Sequence, residues 1–271
     1  MTKTRETQTN DLAGKILAFL GKYWISLSVT VIMLALWEFA LPKSFALVAP
    51  KPSIIISTII EQRYFLWLHA KQTVLEASIG FTLGTLLGIG IAVGFVYSRL
   101  FAQTIYPYAV VLQSTPRIAL LPLFVAVLGT GLSSKVGLVT LATFFPTLVN
   151  MVQGLNAVDR RMVELMHSIN ANRREIFWKL RLPFSMSYLF TALKITVTAA
   201  ILAALISEWM FADRGLGAMV VRAMFSASGD ELWAVMTVAT ILSVLAYNLA
   251  VSVERWLVPW QAAVEVEQLE L

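Results

Sequence analysis

Long apolar stretches alternate with short charged segments along the chain. Three intervals contain no Asp, Glu, Lys or Arg: 77–98, 136–158 and 232–253. A hydrocarbon core of about 30 Å needs about 20 apolar residues in a helix, so each interval is long enough to cross a membrane. Three further apolar stretches are interrupted by one or two charges: 23–41, 100–134 and 185–210. The pattern predicts an all-α polytopic membrane protein with six transmembrane helices.

The same pattern gives approximate limits for these helices and for the segments between them. The six predicted spans are 23–41, 74–98, 105–130, 134–155, 187–210 and 232–254. They lie in one transmembrane domain, 23–258, which includes a long charged loop at 156–186. An N-terminal segment, 1–22, precedes this domain, and a tail, 259–271, follows it.

Composition narrows the possible classes of protein. Of the 271 residues, 58% are hydrophobic and 14% are charged, and none is a cysteine, whereas a soluble domain carries about 25% charged residues. This argues against a soluble enzyme, a disordered chain and a disulfide-stapled module. The net charge of +5 comes with a mean hydropathy of +0.75, which argues against a nucleic-acid partner. We expect neither catalytic residues nor a metal site.

The distribution of lysine and arginine predicts the orientation. With the N-terminus inside, cytoplasmic segments hold twelve of the 21 basic residues, the opposite side holds seven, and two lie within spans. The loop 156–186 contributes the largest inside cluster. We therefore expect a multi-pass membrane protein with both termini in the cytoplasm.

Two features within the predicted spans carry structural information: one favours close packing of two helices, and the other favours a path for a substrate. Gly80, Gly84 and Gly88 lie four residues apart, as small residues do where two membrane helices pack closely. The run 113–124, QSTPRIALLPLF, places polar side chains and two prolines at membrane depth, as in broken helices that face a substrate route. The alternative is a simple kink with Arg117 reaching the interface. The residues of the predicted path or gate are Gln113, Ser114, Thr115, Pro116 and Arg117.

The loop 156–186 has its own amphipathic pattern. Met162, Met166 and Ile169 recur at helical spacing, and a second apolar set follows after Asn170 and Asn172. We expect two short amphipathic helices joined by a turn at these asparagines. Such a pair either lies on anionic lipid or presents a helix to a cytoplasmic partner.

This loop resembles the cytoplasmic loop of ABC-transporter permeases, whose pattern is E-A-A, three residues, G, nine residues, I-x-L-P. Glu164 takes the acidic position, Leu182 and Pro183 the closing pair, and Asn170 replaces the glycine. Blocks at 114–124, 144–150, 189–195 and 207–220 resemble permeases of importers for nitrate, taurine, alkanesulfonates and thiamine or riboflavin precursors. The likeness covers roughly residues 60–260.

The resemblance implies a permease subunit of an ATP-driven importer in a bacterial inner membrane, working by alternating access on a small polar solute, anionic or heterocyclic. It implies two ATP-binding cassette subunits, an extracytoplasmic substrate-binding protein and a second copy of the permease. The expected ATPase-coupling residues are Glu164, Met162, Met166, Ile169, Asn170, Arg173, Arg174, Leu182 and Pro183. No phosphate-binding G-x-x-x-x-G-K-[ST] motif occurs in the sequence, so ATP and Mg²⁺ are expected on the partner subunits, with no cofactor on this chain.

An ATP-independent secondary transporter or channel subunit is the alternative, and it needs ionisable groups deep in the spans. Five such groups lie in or beside spans: Glu38, Glu76, Arg117, Lys194 and Glu208. We expect Glu38 and Glu208 to be solvated at outer span ends and Lys194 to reach the cytoplasmic interface. Both histidines, His69 and His167, are expected outside the spans.

Overall fold

The computed structural model describes residues 24–40, 48–113, 115–210 and 212–259, and all regular structure in these ranges is helical. The first helix, α1, is Trp24–Ala40. The others are α2 Pro52–Glu61, α3 Arg63–Tyr97, α4 Arg99–Gln113, α5 Leu121–Leu128, α6 Leu132–Asn156, α7 Arg160–Ser168, α8 Arg173–Ile176, α9 Leu182–Glu208, α10 Leu216–Phe225 and α11 Gly229–Leu257. A 3₁₀ turn, Arg117–Leu120, precedes α5, and a π-helical turn, Phe177–Arg181, joins α8 to α9.

Four continuous helical segments in the described ranges are long and apolar enough to cross a membrane. They are Arg63–Tyr97, Leu132–Asn156, Arg173–Glu208 and Gly229–Leu257. Each overlaps nearly all of one predicted span. Arg63–Tyr97 and Arg173–Glu208 begin 11 and 14 residues before the predicted starts at 74 and 187. The helices within the other two predicted spans, 23–41 and 105–130, are shorter than 18 residues.

The predicted span 105–130 is not one helix. Helix α4 ends at Gln113, and the chain resumes as a 3₁₀ turn after Pro116, so the interruption expected at this proline is present. Pro122 stands in the first turn of α5, where its missing N–H is not needed. Pro107, a third proline at which the sequence predicts a break in the stretch 100–134, lies inside α4 and does not end it.

Helix α6 is the centre of the fold, packed against α3 on one side and α9 on the other. The predicted glycine stripe makes the first of these contacts possible. A Cβ atom on Gly84 would overlap Thr143 Oγ1, and a Cβ atom on Gly80 would lie 2.5 Å from Val139 Cβ. Gly88 approaches the α6 backbone in the same way, whereas Gly90 faces open space. The two helices therefore approach to near backbone contact along the glycine face.

Buried apolar side chains form two clusters, one toward each end of the long helices. One cluster joins α3, α9, α10 and α11 around Leu216 and Met219. The other joins the far ends of α3 and α6 to α4 and the π-helical turn, around Leu148 and Phe177. Many large apolar side chains on the outside of α1, α3 and α11 remain exposed. An apolar exterior of this kind suits lipid as the surrounding solvent.

Candidate functional site

Helix α7 lies in the loop 156–186, and its limits are set by local hydrogen bonds. The side chain of Asp159 caps its first turn by accepting the N–H of Arg161 at 2.8 Å. Asn170, just beyond its end, has a φ of 61°. This is the left-handed conformation that asparagine tolerates better than most residues. The turn expected at the position of the family's glycine is therefore formed.

The apolar face of α7 and its C-cap is not buried by the rest of the chain. No residue of the helix itself is buried, and Met162, Leu165 and Ile169 are 45%, 64% and 68% exposed. Glu164 pairs with Arg160 at 3.3 Å on the exposed side of the helix. The predicted coupling residues Met162, Glu164 and Ile169 thus share one accessible segment, and Leu165 belongs to the same surface.

The second predicted short helix is not separate, because it continues into the long helix Arg173–Glu208. It begins with a capping box: Asn172 Oδ1 accepts the N–H of Glu175 at 2.9 Å, and Glu175 Oε2 accepts the N–H of Asn172 at 3.0 Å. Arg173 and Arg174 form its first turn. The predicted coupling loop is therefore one exposed helix, one turn and the beginning of a membrane-length helix.

The closing pair of the motif, Leu182 and Pro183, begins α9 directly after the π-helical turn. Proline lacks the N–H that would bond to the carbonyl of Lys179, and its ring would crowd that carbonyl in a regular α-helix. The wider π turn over Phe177–Arg181 accommodates it without ending the helix. The motif's proline thus produces a local change of helix geometry between the coupling loop and α9.

The described residues of the predicted path run from the last residue of α4 to the first residue of the 3₁₀ turn. Gln113 ends α4, Thr115 is half-buried, and Pro116 is exposed. Ser114 and the side chain of Arg117 lie outside the described part of the chain. The path prediction therefore stays a prediction.

A second cluster of polar side chains, which we call the buried carboxyl cluster, lies where α3, α6, α9 and α10 meet. Its members are His69, Thr73, Glu76, Lys135 and Glu208, and all are buried. His69, Thr73 and Glu76 share one face of α3, because they are spaced by four and three residues. Glu208 is the last residue of α9, and Lys135 lies in the first turn of α6.

Glu208 is held by the start of α10. Its Oε2 accepts the N–H of Gly217 at 2.6 Å, and its Oε1 accepts the hydroxyl of Thr73 at 2.7 Å. The Thr73 oxygen in turn accepts the N–H of Leu216 at 2.9 Å. Gly215 has a φ of 119°, and a Cβ atom there would overlap the Glu208 carboxyl group. A carboxylate and two glycines therefore fix the turn between α9 and α10.

The remaining members extend the cluster to α6. His69 Nδ1 lies 3.0 Å from the nitrogen and 2.9 Å from the oxygen of Gly215, so it accepts or donates according to its tautomer. Glu76 Oε1 accepts from Gln72 at 2.8 Å and pairs with Lys135 Nζ at 3.4 Å. One buried cation and several hydrogen-bond donors thus offset the cost of two buried carboxyl groups.

This cluster corrects one expectation from the sequence. Glu208 is 1% exposed, so the prediction of a solvated group was wrong, because the chain turns back at Gly215 and covers it. His69, expected outside the spans, lies buried near the start of α3, before the predicted span 74–98. A sequence signal near the cluster was G-L-G at 215–217, because glycines allow the close approach to Glu208 that a Cβ atom would block.

Two other ionisable groups are paired. Lys194 forms an ion pair of 2.9 Å with Glu254 of α11. Glu38 of α1 accepts the N–H and the hydroxyl of Ser53 at 3.0 and 2.8 Å, which ties α1 to the start of α2. Among the described residues, no group of three or more histidine, aspartate or glutamate side chains could hold a metal ion.

Residues 84–262, which include α6, α7, the π-helical turn and α9 to α11, match the profile of the binding-protein-dependent transport system inner membrane component. The chain belongs to this family. It is therefore an inner membrane protein of the ABC permease class, which confirms the resemblance found in the loop and in the four other sequence blocks.

Curated relatives with similar sequences are permeases for several solutes. The chain is 30% identical to the formylaminopyrimidine transport permease protein of Halalkalibacterium halodurans, over 85% of this chain and 93% of that protein. It is 26% identical to the riboflavin transport system permease protein of Chloroflexus aurantiacus, over 88% and 91%. It is 27% identical to the taurine transport system permease protein of Escherichia coli, over 74% and 73%.

A solved structure shares the fold. The MetNI methionine ABC transporter, in an inward-facing conformation, contains a chain that superposes on this one with a TM-score of 0.63 and 18% identity. The match covers 72% of this chain and 97% of that chain. The helical arrangement is thus that of an ABC permease.

Proposed function

We propose that this permease moves a small polar solute, anionic or heterocyclic, by ATP-driven alternating access. Two copies would enclose the path, since six helices are few for a wide pore in one subunit. Two ATP-binding cassette subunits would supply energy, with ATP and Mg²⁺ bound there. A substrate-binding protein would deliver the solute. The relatives' solutes include a formylaminopyrimidine, riboflavin and taurine, which supports this range.

The observation that carries the proposal is the exposed apolar face of α7 in a family of binding-protein-dependent permeases. Leu165 and Ile169 are exposed on a segment of only nine helical residues, which gains little by folding alone. An amphipathic helix with unburied anchors is suited to the groove of a partner. We infer that the coupling loop 156–186 docks on the ATPase, with Glu164, Arg173 and Arg174 positioning it by charge-assisted hydrogen bonds.

The proposed six spans follow from adding α1 and the interrupted α4–α5 stretch to the four long helices. In this arrangement 1–22, the coupling loop and the tail 259–271 lie in the cytoplasm. The residues 113–117 then lie at the break between α4 and α5, where backbone groups outside a regular helix need a polar or water-lined surrounding. This supports their assignment to the path or gate.

The coupling role is tested with Glu164→Ala in the full chain, co-expressed with its ATPase subunit. We expect a severalfold loss of substrate-stimulated ATPase activity with no loss of thermal stability, because an exposed i,i+4 ion pair contributes at most about 1 kcal/mol. Glu61→Ala, which removes an exposed carboxylate from α2, is the matched control. Unchanged ATPase activity in the Glu164 variant would contradict the docking role.

The solute range is tested by measuring ATPase activity of the reconstituted complex with its binding protein and a panel of candidate solutes. A heterocyclic precursor and a sulfonate are the first two probes. Stimulation by a long-chain apolar compound instead would overturn the proposed class. ATP-independent uptake in vesicles would favour the alternative of a secondary transporter.

A further inference from the structure

A cavity of about 900 Å³ opens between the ends of three helices, beside the π-helical turn. The last turns of α3, the first half of α4 and the last turn of α6 form its walls, and Arg181 of the π-helical turn reaches it from the coupling loop. In the proposed orientation, this end of the helices lies at the cytoplasmic boundary of the membrane. The cavity is separate from the break at 113–117 and from the exposed face of α7.

Both apolar and cationic side chains line the cavity. Phe95, Val96, Val152 and Leu155 contribute to the apolar wall. The polar lining residues include Arg99 and Arg181, together with Gln103, Gln153 and Asn156. No acidic residue lines the cavity among the residues described. The lining thus offers guanidinium and amide donors next to a hydrocarbon surface.

The two arginines differ from three basic residues that pair with a glutamate of another element. Lys135, Lys194 and Arg222 each pair with a buried or half-buried glutamate. The guanidinium groups of Arg99 and Arg181 form no ion pair or hydrogen bond within the described part of the chain, although Arg181 is half-buried. Guanidinium groups bind phosphate oxygens in a bidentate manner. Two such groups without a protein counter-ion leave this cavity open to a phosphate.

We propose that the cavity binds an anionic phospholipid, with its phosphate between Arg99 and Arg181 and acyl carbons on the wall formed by Phe95, Val96 and Val152. Inorganic phosphate would use the cationic side only, whereas a phospholipid uses both surfaces. Basic pockets between helices on the cytoplasmic side are typical sites for such head groups. Because Arg181 belongs to the π-helical turn, the bound lipid would also brace the join between the coupling loop and α9. This last point rests on the proposed function.

The test is lipid retention by the purified full chain, measured by native mass spectrometry after exchange into mixed micelles. Phosphatidylglycerol is expected to remain bound and phosphatidylcholine to be lost. The double variant Arg99→Gln with Arg181→Gln should retain phosphatidylglycerol at least about tenfold less, since each charge-assisted hydrogen bond lost corresponds to about a tenfold change or more. Arg214→Gln removes one exposed charge at the far end of α9 and should retain the lipid fully.

Two further arms keep the outcome decisive. If the double glutamine variant fails to fold, the double variant Arg99→Lys with Arg181→Lys replaces it. It preserves the charge but not the bidentate geometry, so intermediate lipid retention is expected. Equal retention in the variants and in the parent chain, or equal retention of the two lipids, would overturn the proposal. Displacement of phosphatidylglycerol by millimolar inorganic phosphate would instead show a free-anion site and would also overturn it. Glu164→Ala should leave lipid retention unchanged, which separates this result from failure of the coupling role.

Discussion

Helix α7 and the buried carboxyl cluster stand at opposite extremes of exposure within one chain. On α7, apolar Leu165 and charged Glu164 both face outward, and no side chain is buried. In the cluster, Glu76 and Glu208 are 0% and 1% exposed and accept from donors on α3, α6 and α10. The side chains of α7 are therefore free to contact another protein, whereas those of the buried carboxyl cluster contact other helices of this chain. Substitutions should therefore affect partner binding in α7 and stability in the cluster.

The largest loss of stability is expected for Glu208→Ala. It leaves the N–H of Gly217 and the hydroxyl of Thr73 without their acceptor in a buried place. An unsatisfied buried donor costs about 1–3 kcal/mol, so both together should lower the thermal unfolding midpoint strongly in detergent. Glu208→Gln keeps one acceptor oxygen and should lose less. A Glu208→Ala protein that melts like the parent chain would show that the turn before α10 does not depend on this carboxylate.

The next effect is expected at the glycine face between α3 and α6. Gly84→Ala places a methyl group against Thr143 and should destabilise the protein by about 1–3 kcal/mol, as overpacking does. Gly90→Ala in the same helix meets open space and should stabilise it by up to about 1 kcal/mol, because alanine is the better helix former. Thermal unfolding of the two variants measures the difference. Equal shifts of the same sign would contradict the close approach.

A smaller loss is expected at the turn after α7. Asn170→Ala must adopt a φ of 61°, which costs about 1–2 kcal/mol for a residue with a Cβ atom and no local hydrogen bond. Asn170→Gly should be neutral or slightly stabilising at this position. Hydrogen exchange of the α7 amides reports the local effect, with faster exchange expected only in the alanine variant. Faster exchange in both variants would show that the asparagine side chain, and not the backbone conformation, holds the turn.

The smallest change in stability is expected on α7 itself. Leu165→Ser should alter the free energy of unfolding by no more than about 0.5 kcal/mol, because the side chain is exposed. The same variant should lose most of the co-purifying ATPase subunit in mild detergent if α7 docks as proposed. Val48→Ser replaces a similarly exposed apolar residue outside the loop and should keep the partner. Loss of the partner in both variants would assign the effect to general hydrophobicity.

The sequence predicted those structural features whose determining residues all lie within one short segment. Charge-free length predicted three of the four long helices, and an apolar stretch with two charges predicted the fourth. Residue spacing predicted α7, the turn at Asn170 and the glycine contact. The buried carboxyl cluster was missed because its members are separated by up to 139 positions along the chain, from His69 to Glu208. A glutamate near the end of an apolar stretch looks solvated until the following chain folds back over it. The extension of α3 to Arg63 was missed because the span limits were placed where charged residues occur. Charged residues such as Lys71 can continue a helix beyond the apolar stretch.

The sequence by itself determined that this chain is a helical membrane protein of the permease family, because hydropathy depends on composition over about 20 residues and the coupling motif lies within one loop. Tertiary structure alone decided which polar groups are buried and which residues are their hydrogen-bond or ion-pair partners. Glu208 depends on Gly217 and Thr73, Glu76 on Lys135, and Lys194 on Glu254. A charge in an apolar surrounding is stable only with its partners in place, and those partners come from helices distant in sequence.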